Sequence, residues 1–172
     1  MKKIVFLVLL IVVFAGCNTP KKKVVINKTK EKVVLNSFLD NWHKAAAEAN
    51  YQNYFGALDS VSVYIGTDAA EVWSKKQFSN FSKPYFDRGK AWAFTAVDRN
   101  IYFNEAGNIA WFDELLNTWM GVCRGSGVLE KTDGNWKIKH YVLSLTIPND
   151  NINDVIKTNK EKDSLFLSKY KN

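Results

Sequence analysis

Few side chains in this chain offer reactive chemistry. Two His and two Cys are too few for a dense zinc site, so neither a metal centre nor a cofactor is expected. Asp113 and Glu114 are adjacent in Trp111-Phe112-Asp113-Glu114-Leu115. Arg124 and Ser126 sit in the glycine-rich run Arg124-Gly125-Ser126-Gly127-Val128, and His140 and Ser144 follow Trp136. A buried carboxylate beside Arg124 stays ionised and can orient a ligand. One desolvated without a partner has a raised pKa and can act as a general acid or base. Gly125-Ser126-Gly127 lacks the spacing of a Gly-x-Ser-x-Gly nucleophile elbow. Neither a phosphate-binding loop nor His-Glu-x-x-His occurs.

Which of these side chains meet depends on the strands that carry them. Four strand candidates follow one another at residues 91–103, 109–117, 122–131 and 136–147, with turns at 104–108 and 132–135. Alternation puts Trp136, Ile138, His140, Val142 and Ser144 on one face and Lys137, Lys139 and Tyr141 on the other. The Trp/Ile face is the natural core side, so His140 and Ser144 are expected to face a pocket. A three-residue loop at Thr132-Asp133-Gly134 sets Ser126 opposite His140 and Arg124 opposite Val142. A two-residue loop at Asp133-Gly134 turns Arg124 outward. We favour the first, because Arg124 then has acids nearby. Asp113 shares a face with Trp111 and Leu115, Glu114 with Phe112 and Leu116. Both faces are apolar, so the pattern does not choose; we take Asp113 as the pocket acid. Cys123, in an apolar strand, reads as a buried inert thiol.

Helices must come before these strands. Leu35, Phe38, Leu39, Trp42, Ala45, Ala46 and Ala49 recur at helical spacing, predicting a helix over 34–49. His43 beside Trp42 reads as a boundary residue. A short helix over 51–58 and a strand over 60–65 follow. Ser74-Lys75-Lys76-Gln77 matches a capping box, and Phe78, Phe81 and Tyr85 continue a helix over 75–86. Pro84 suggests a kink near Lys83. Helices first and antiparallel strands afterwards make an α+β fold, with three N-terminal helices packed on one face of a curved sheet. Asp68, after the break at Gly66, is either a turn residue or a ligand contact at the pocket mouth.

The chain has 172 residues and a net charge of +7, but the charge is segregated. Six Lys lie between residues 18 and 32 and five between 157 and 172, whereas residues 33–156 hold 11 basic and 14 acidic side chains. A nucleic-acid binder carries its basic residues on the folded face, so no nucleic-acid partner is expected. Lys2-Lys3 followed by an unbroken apolar or small run over 4–16 is shorter than the roughly 20 residues of a spanning helix and reads as a secretory leader. The division expected is a leader over 1–16, a lysine-rich tether over 17–32, one domain over 33–148 and a polar, weakly helical tail over 149–172.

Two resemblances sharpen this. Ala15-Gly16-Cys17 resembles the lipobox of bacterial lipoproteins, although Phe14 stands where Leu is usual. It implies cleavage before Cys17, acylation of Cys17, and anchoring to membrane lipid in the bacterial cell envelope, at the outer membrane or cell surface. Gly66-Thr67-Asp68 with Glu71 and Trp73, the Arg124–Val128 run, and Trp136–His140 with Ser144 resemble SnoaL-like domains of the nuclear transport factor 2-like superfamily. That resemblance covers roughly 35–148 and implies a cone with a pocket between the helices and the concave sheet face. It implies a homodimer, paired through the outer face that carries Lys139, Tyr141, Leu143 and Leu145. Its members bind small molecules, act as isomerases or dehydratases, or mediate protein interactions without a ligand. Some relatives carry a second His where Val142 stands here. A binding module is therefore expected, holding a small apolar or amphipathic molecule with Asp68, Asp113, Arg124, Ser126, His140 and Ser144. The alternative is an isomerase or dehydratase that moves a proton with Asp113 or His140.

Overall fold

The computed structural model describes residues 26–171. The leader, Cys17 and most of the lysine-rich segment lie outside the described residues. Asn27 opens helix α1 (Lys28–Ala47) by accepting the Lys30 N–H at 3.1 Å. The helix starts six residues before its apolar period does, because Glu31 accepts hydrogen bonds from Lys131 Nζ at 2.8 Å and Trp136 Nε1 at 2.9 Å. Leu35, Leu39, Trp42, Ala45 and Ala46 form its buried stripe, which includes His43. Ala49 adopts a positive φ of 51°, and Asn50 then caps α2 (Tyr51–Ala57).

Strand β1 (Leu58–Ile65) turns Ser62 and Tyr64 inward and Val61, Val63 and Ile65 outward. It is followed by β2 (Val72–Ser74) and α3 (Lys75–Asp87). Ser74 and Gln77 form the capping box that the sequence predicts. The buried face of α3 is Phe78, Ser82 and Phe86 rather than Phe78, Phe81 and Tyr85, and the helix runs through Pro84. Strands β3 (Thr95–Phe103), β4 (Ile109–Thr118), β5 (Gly121–Thr132) and β6 (Asn135–Leu145) complete a curved, unclosed sheet of order β2-β1-β6-β5-β4-β3. Every pair is antiparallel except β1 with β6. The residues read as a polar tail form a short 3-10 turn and α4 (Ile152–Ser168), which buries no residue. No described helix is long and apolar enough to cross a membrane.

Two local features set which side chains enter the cone. Asp133 (φ 51°) and Gly134 (φ 81°) make a two-residue turn, pairing Thr132 with Asn135. Positive φ at both central residues matches the twist of the flanking strands. This overturns the preferred three-residue loop and leaves Arg124 opposite Ser144 and Ser126 opposite Val142. A bulge then places Lys139 as an extra residue, since Val128 faces His140 while Leu129 faces Ile138. Strict alternation from Trp136 and Ile138 would turn Tyr141 and Leu143 to solvent. The bulge instead brings both inside and puts His140, Val142 and Ser144 outside. Lys139 is held on the rim by Asp59 at 3.1 Å and Glu130 at 3.2 Å. The outer face expected to hold Tyr141 and Leu143 therefore carries Val61, Tyr102 and Trp111, all exposed, with half-buried Val142.

Candidate functional site

The concave side of the sheet meets the helices in an aromatic interior that opens at one end. Tyr64 of β1, Trp73 of β2, Phe78 and Phe81 of α3, and Trp92 and Phe94 of the segment before β3 wall a cleft of about 160 Å³. Tyr64 stacks on Phe78 at 3.8 Å between centroids and 15° between planes, and Trp73 stacks on Phe81 at 4.8 Å. Trp119 and Met120, on the β4–β5 turn, stand at the mouth, and buried Leu143 completes the lining. Thr118 Oγ1 fixes that turn by accepting the Met120 N–H at 3.0 Å and donating to Gly121 O at 2.9 Å. Trp119 is 81% exposed, so the turn holds a bare indole at the entrance.

Glu71 lines the rim beside Gly66 and Thr67. The Gly66 N–H donates to Glu71 O at 2.9 Å, the Glu71 N–H donates to Asp68 O at 2.9 Å, and Glu71 Oε2 accepts the Asp68 N–H at 3.2 Å. The Glu71 carboxylate lies directly over Gly66, in the space a Cβ there would fill. Burial first, and the charge of Glu71 second, push the Tyr64 hydroxyl well above its ordinary pKa. A wider furrow of about 610 Å³ runs between α1, α2 and β6. Asn41, Lys44, Glu48, Gln52 and Lys137 line it, so it reads as hydrated polar surface. The smaller cleft has the apolar, aromatic wall of a ligand site.

Behind the cleft lies a sealed polar cluster. Glu114 is fully buried, and its Oε1 accepts from His43 Nε2 at 2.8 Å and Tyr141 Oη at 3.2 Å. Its Oε2 accepts from Arg99 Nε at 2.8 Å. Arg99 Nη2 lies 2.8 Å from the same oxygen but is not aligned for a hydrogen bond. Arg99 Nη1 continues to Asp40 at 2.8 Å and Asn36 O at 3.1 Å. Burial pushes the Glu114 pKa up, but the opposing pull of His43 and Arg99 is greater, and it settles below the ordinary glutamate value. Gly125, opposite Glu114, makes the cluster possible: a Cβ there would strike Tyr141 Oη and come within 2.9 Å of Glu114 Oε1. Tyr141 separates the cluster from the cleft, with its ring 5.4 Å from that of Tyr64. Neither Glu114 nor His43 lines the cleft.

Residues 35–148 match the family model described as a SnoaL-like domain. The chain belongs to the SnoaL-like domain family. The fold is shared with solved structures of low identity. An NTF2-like protein of unknown function from Pseudomonas putida superposes with a TM-score of 0.59 at 12% identity, covering 72% of this chain and 92% of that one. An NTF2-like protein from Cytophaga hutchinsonii gives 0.58 at 16%, covering 67% and 98%. A domain of unknown function with a cystatin-like fold from Nostoc punctiforme gives 0.59 at 11%, covering 84% and 99%. No curated protein matches the chain.

In this SnoaL-like domain Gly66, Thr67, Glu71 and Trp73 of the segment singled out in the sequence line the cleft, and Asp68 does not. Asp68 itself is exposed, and its Oδ1 accepts the Ala70 N–H at 2.8 Å. It shapes the loop that holds Glu71. The other expected site residues do not converge. Asp113, Arg124, Ser126, His140 and Ser144 all lie on the outer sheet face, where Asp113 and Arg124 approach only to 3.8 Å. The acid that enters is Glu114, because β4 turns Ala110, Phe112, Glu114 and Leu116 inward. The histidine that enters is His43, four residues after Leu39 on the buried stripe. That spacing was the available signal for it. Arg99 was not singled out, yet it stands directly opposite Glu114 in the β3–β4 ladder.

The depressed pKa of Glu114 fixes a direction for stability. Its ionised form contributes fully above the ordinary glutamate range, and that contribution disappears as pH falls through the folded-state value. Glu114→Gln should cost about 3 kcal/mol or more at neutral pH, because it leaves Arg99 buried without its carboxylate. Urea unfolding of wild type and variant should converge on acidification. A separation that stays constant from neutral to strongly acidic pH would count against this.

Proposed function

We propose that the chain is a membrane-anchored lipoprotein whose SnoaL-like domain binds a small apolar or amphipathic molecule in the aromatic cleft. The observation that carries this reading is the cleft itself, with its stacked rings and one acid at the rim. The isomerase or dehydratase alternative needs an accessible acid or base with a pKa near working pH. The acid–histidine pair present, Glu114 with His43, is buried, outside the cleft wall and shifted toward the ionised carboxylate. That supports binding over proton transfer.

The six Trp side chains give a direct readout. Benzyl alcohol at millimolar concentration should move the indole N–H resonances of Trp73, Trp92 and Trp119 and leave those of Trp42, Trp111 and Trp136 in place. Phe81→Ala, at a ring 45% exposed, should weaken binding roughly fivefold, an aromatic contact of about 1 kcal/mol. Shifts scattered over all six indoles would count against the cleft as the ligand site.

The anchor rests on Lys2-Lys3, the short apolar run and Ala15-Gly16-Cys17, with two or more acyl chains needed for stable attachment. The side chain of Ile26 packs over Gly107 at the β3–β4 turn. The cleft opens by the β4–β5 turn, a ten-residue strand away, which is about 30 Å at 3.4 Å per residue. The cleft then faces away from the tethered end. Mass spectrometry of the mature N-terminus should show acyl groups on Cys17, and Cys17→Ala should release the protein from membranes. An unmodified wild-type N-terminus would reject the anchor.

A second copy is the occupant we assign to the outer sheet face. Val61 is 71% exposed there and Trp111 46%, on strands that are otherwise well packed. Sedimentation at micromolar concentration should give a dimer, and Trp111→Glu should give a monomer. A monomeric wild type would contradict the assignment.

A further inference from the structure

We propose that the cleft is selective for an organic cation, a small molecule carrying a quaternary or alkylated ammonium group. The inference rests on the cleft-binding reading above and names its ligand class. Three observations converge. The wall is dominated by aromatic rings, whose faces carry the negative end of a quadrupole and attract bulky, weakly hydrated cations. Glu71 is the only formally charged side chain in that wall. It has no Lys, Arg or His partner among the described residues, and its carboxylate accepts a hydrogen bond only from the Asp68 N–H. Two other furrows do take in bases, Lys44 and Lys137 in one and Lys28 and Lys32 in the other. The cleft takes in no base.

The position of Glu71 is built rather than incidental. The Gly66–Glu71 loop closes on itself through backbone hydrogen bonds, and Gly66 leaves room for the carboxylate directly above it. A neutral ligand covering this rim would strip water from a carboxylate and return at most one hydrogen bond. An anion would be repelled. A cation pairs with Glu71 while its alkyl groups meet the rings. A metal ion is the poorer fit: hard cations take six or more oxygen ligands, and no group of three or more His, Cys, Asp or Glu side chains able to hold one occurs among the described residues. The cleft volume of about 160 Å³ is close to that of a cavity that accepts a benzene ring. It admits an alkylammonium head, with any longer substituent leaving past the exposed rings of Phe81 and Trp119.

Choline and 3,3-dimethyl-1-butanol form a test pair of the same shape, one charged and one neutral. Each is titrated into the full chain with the Trp73, Trp92 and Trp119 indole resonances as readout. Choline should bind at least about tenfold more tightly than the neutral isostere, the effect of a desolvated cation–π contact plus the Glu71 charge. Glu71→Gln should reduce choline affinity about tenfold and leave that of the isostere unchanged. Added salt should weaken choline alone. Gly66→Ala, which displaces the carboxylate, should reproduce the Glu71→Gln pattern. Equal affinity for the two probes, or a Glu71→Gln variant that binds choline like wild type, overturns the cation assignment. If benzyl alcohol binds in the cleft and choline does not, binding stands and the cation assignment falls. If none of the three binds, both fall.

Discussion

A carboxylate wholly removed from water is the constraint around which this domain is arranged. Glu114 sits midway along β4 on the sheet's concave face, and an unpartnered charge there would cost several kcal/mol. Its partners come from far apart in the chain: His43 on α1, Arg99 on β3 and Tyr141 on β6. Satisfying one acid therefore fixes the roll of α1 over the sheet, the register of β3 against β4 and the inward face of β6. Arg99 reaches further, to Asp40 and the Asn36 carbonyl, so α1 is held at two points along its length. Apolar packing alone would tolerate a helix that slides. Directional bonds to a buried charge tolerate much less.

The glycines and the bulge follow from the same demand. β5 passes beneath Glu114, and any side chain at position 125 would occupy the space where Glu114 and Tyr141 meet. Tyr141 is inward only because Lys139 is an extra residue in β6. Lys139 can be extruded without loss, since Asp59 and Glu130 await it at the rim. The bulge thus turns a polar-in pattern (His140, Val142, Ser144) into an aromatic-in pattern. The aromatic interior, and with it the rear wall of the cleft, depends on that inversion.

Local signals in the sequence were sufficient for the elements and insufficient for the faces. The caps of α3, the apolar stripe of α1 and the turn residues 104–108 and 132–135 are short-range chemistry, and the structure realises them. Inward and outward assignments on β6 rest on uninterrupted alternation, and one extra residue reverses every side chain beyond it. Asp113 and Glu114 were indistinguishable because both faces of β4 are apolar, the outer one carrying Trp111 and Leu115. The pairing of Arg99 with Glu114 turns on one residue: a hairpin centred on residues 104–108 would set Arg99 opposite Asp113, whereas Phe103 pairs with Ala110 and the longer loop moves Arg99 to Glu114. On β1, β-branched Val61, Val63 and Ile65 look like a core face, yet Ser62 and Tyr64 point inward. Aliphatic residues on that outer face satisfy strand propensity without being buried.

Glu71 breaks a rule that the other buried and half-buried acids obey. Glu114, buried, has every partner that it needs; Glu31 is bonded by Lys131 and Trp136; Asp59 is bonded by Lys139. Glu71 alone of these stands among stacked rings with a single N–H donor. Such an arrangement adds little to stability, since the same loop would close through its backbone bonds with Gln or Ala in that place. Departures of this kind, in a domain otherwise consistent from caps to core, are expected where a ligand completes the set of partners. The missing partner of a carboxylate is a positive charge, and the missing neighbour of an exposed aromatic ring is something weakly hydrated. One chemical group supplies both.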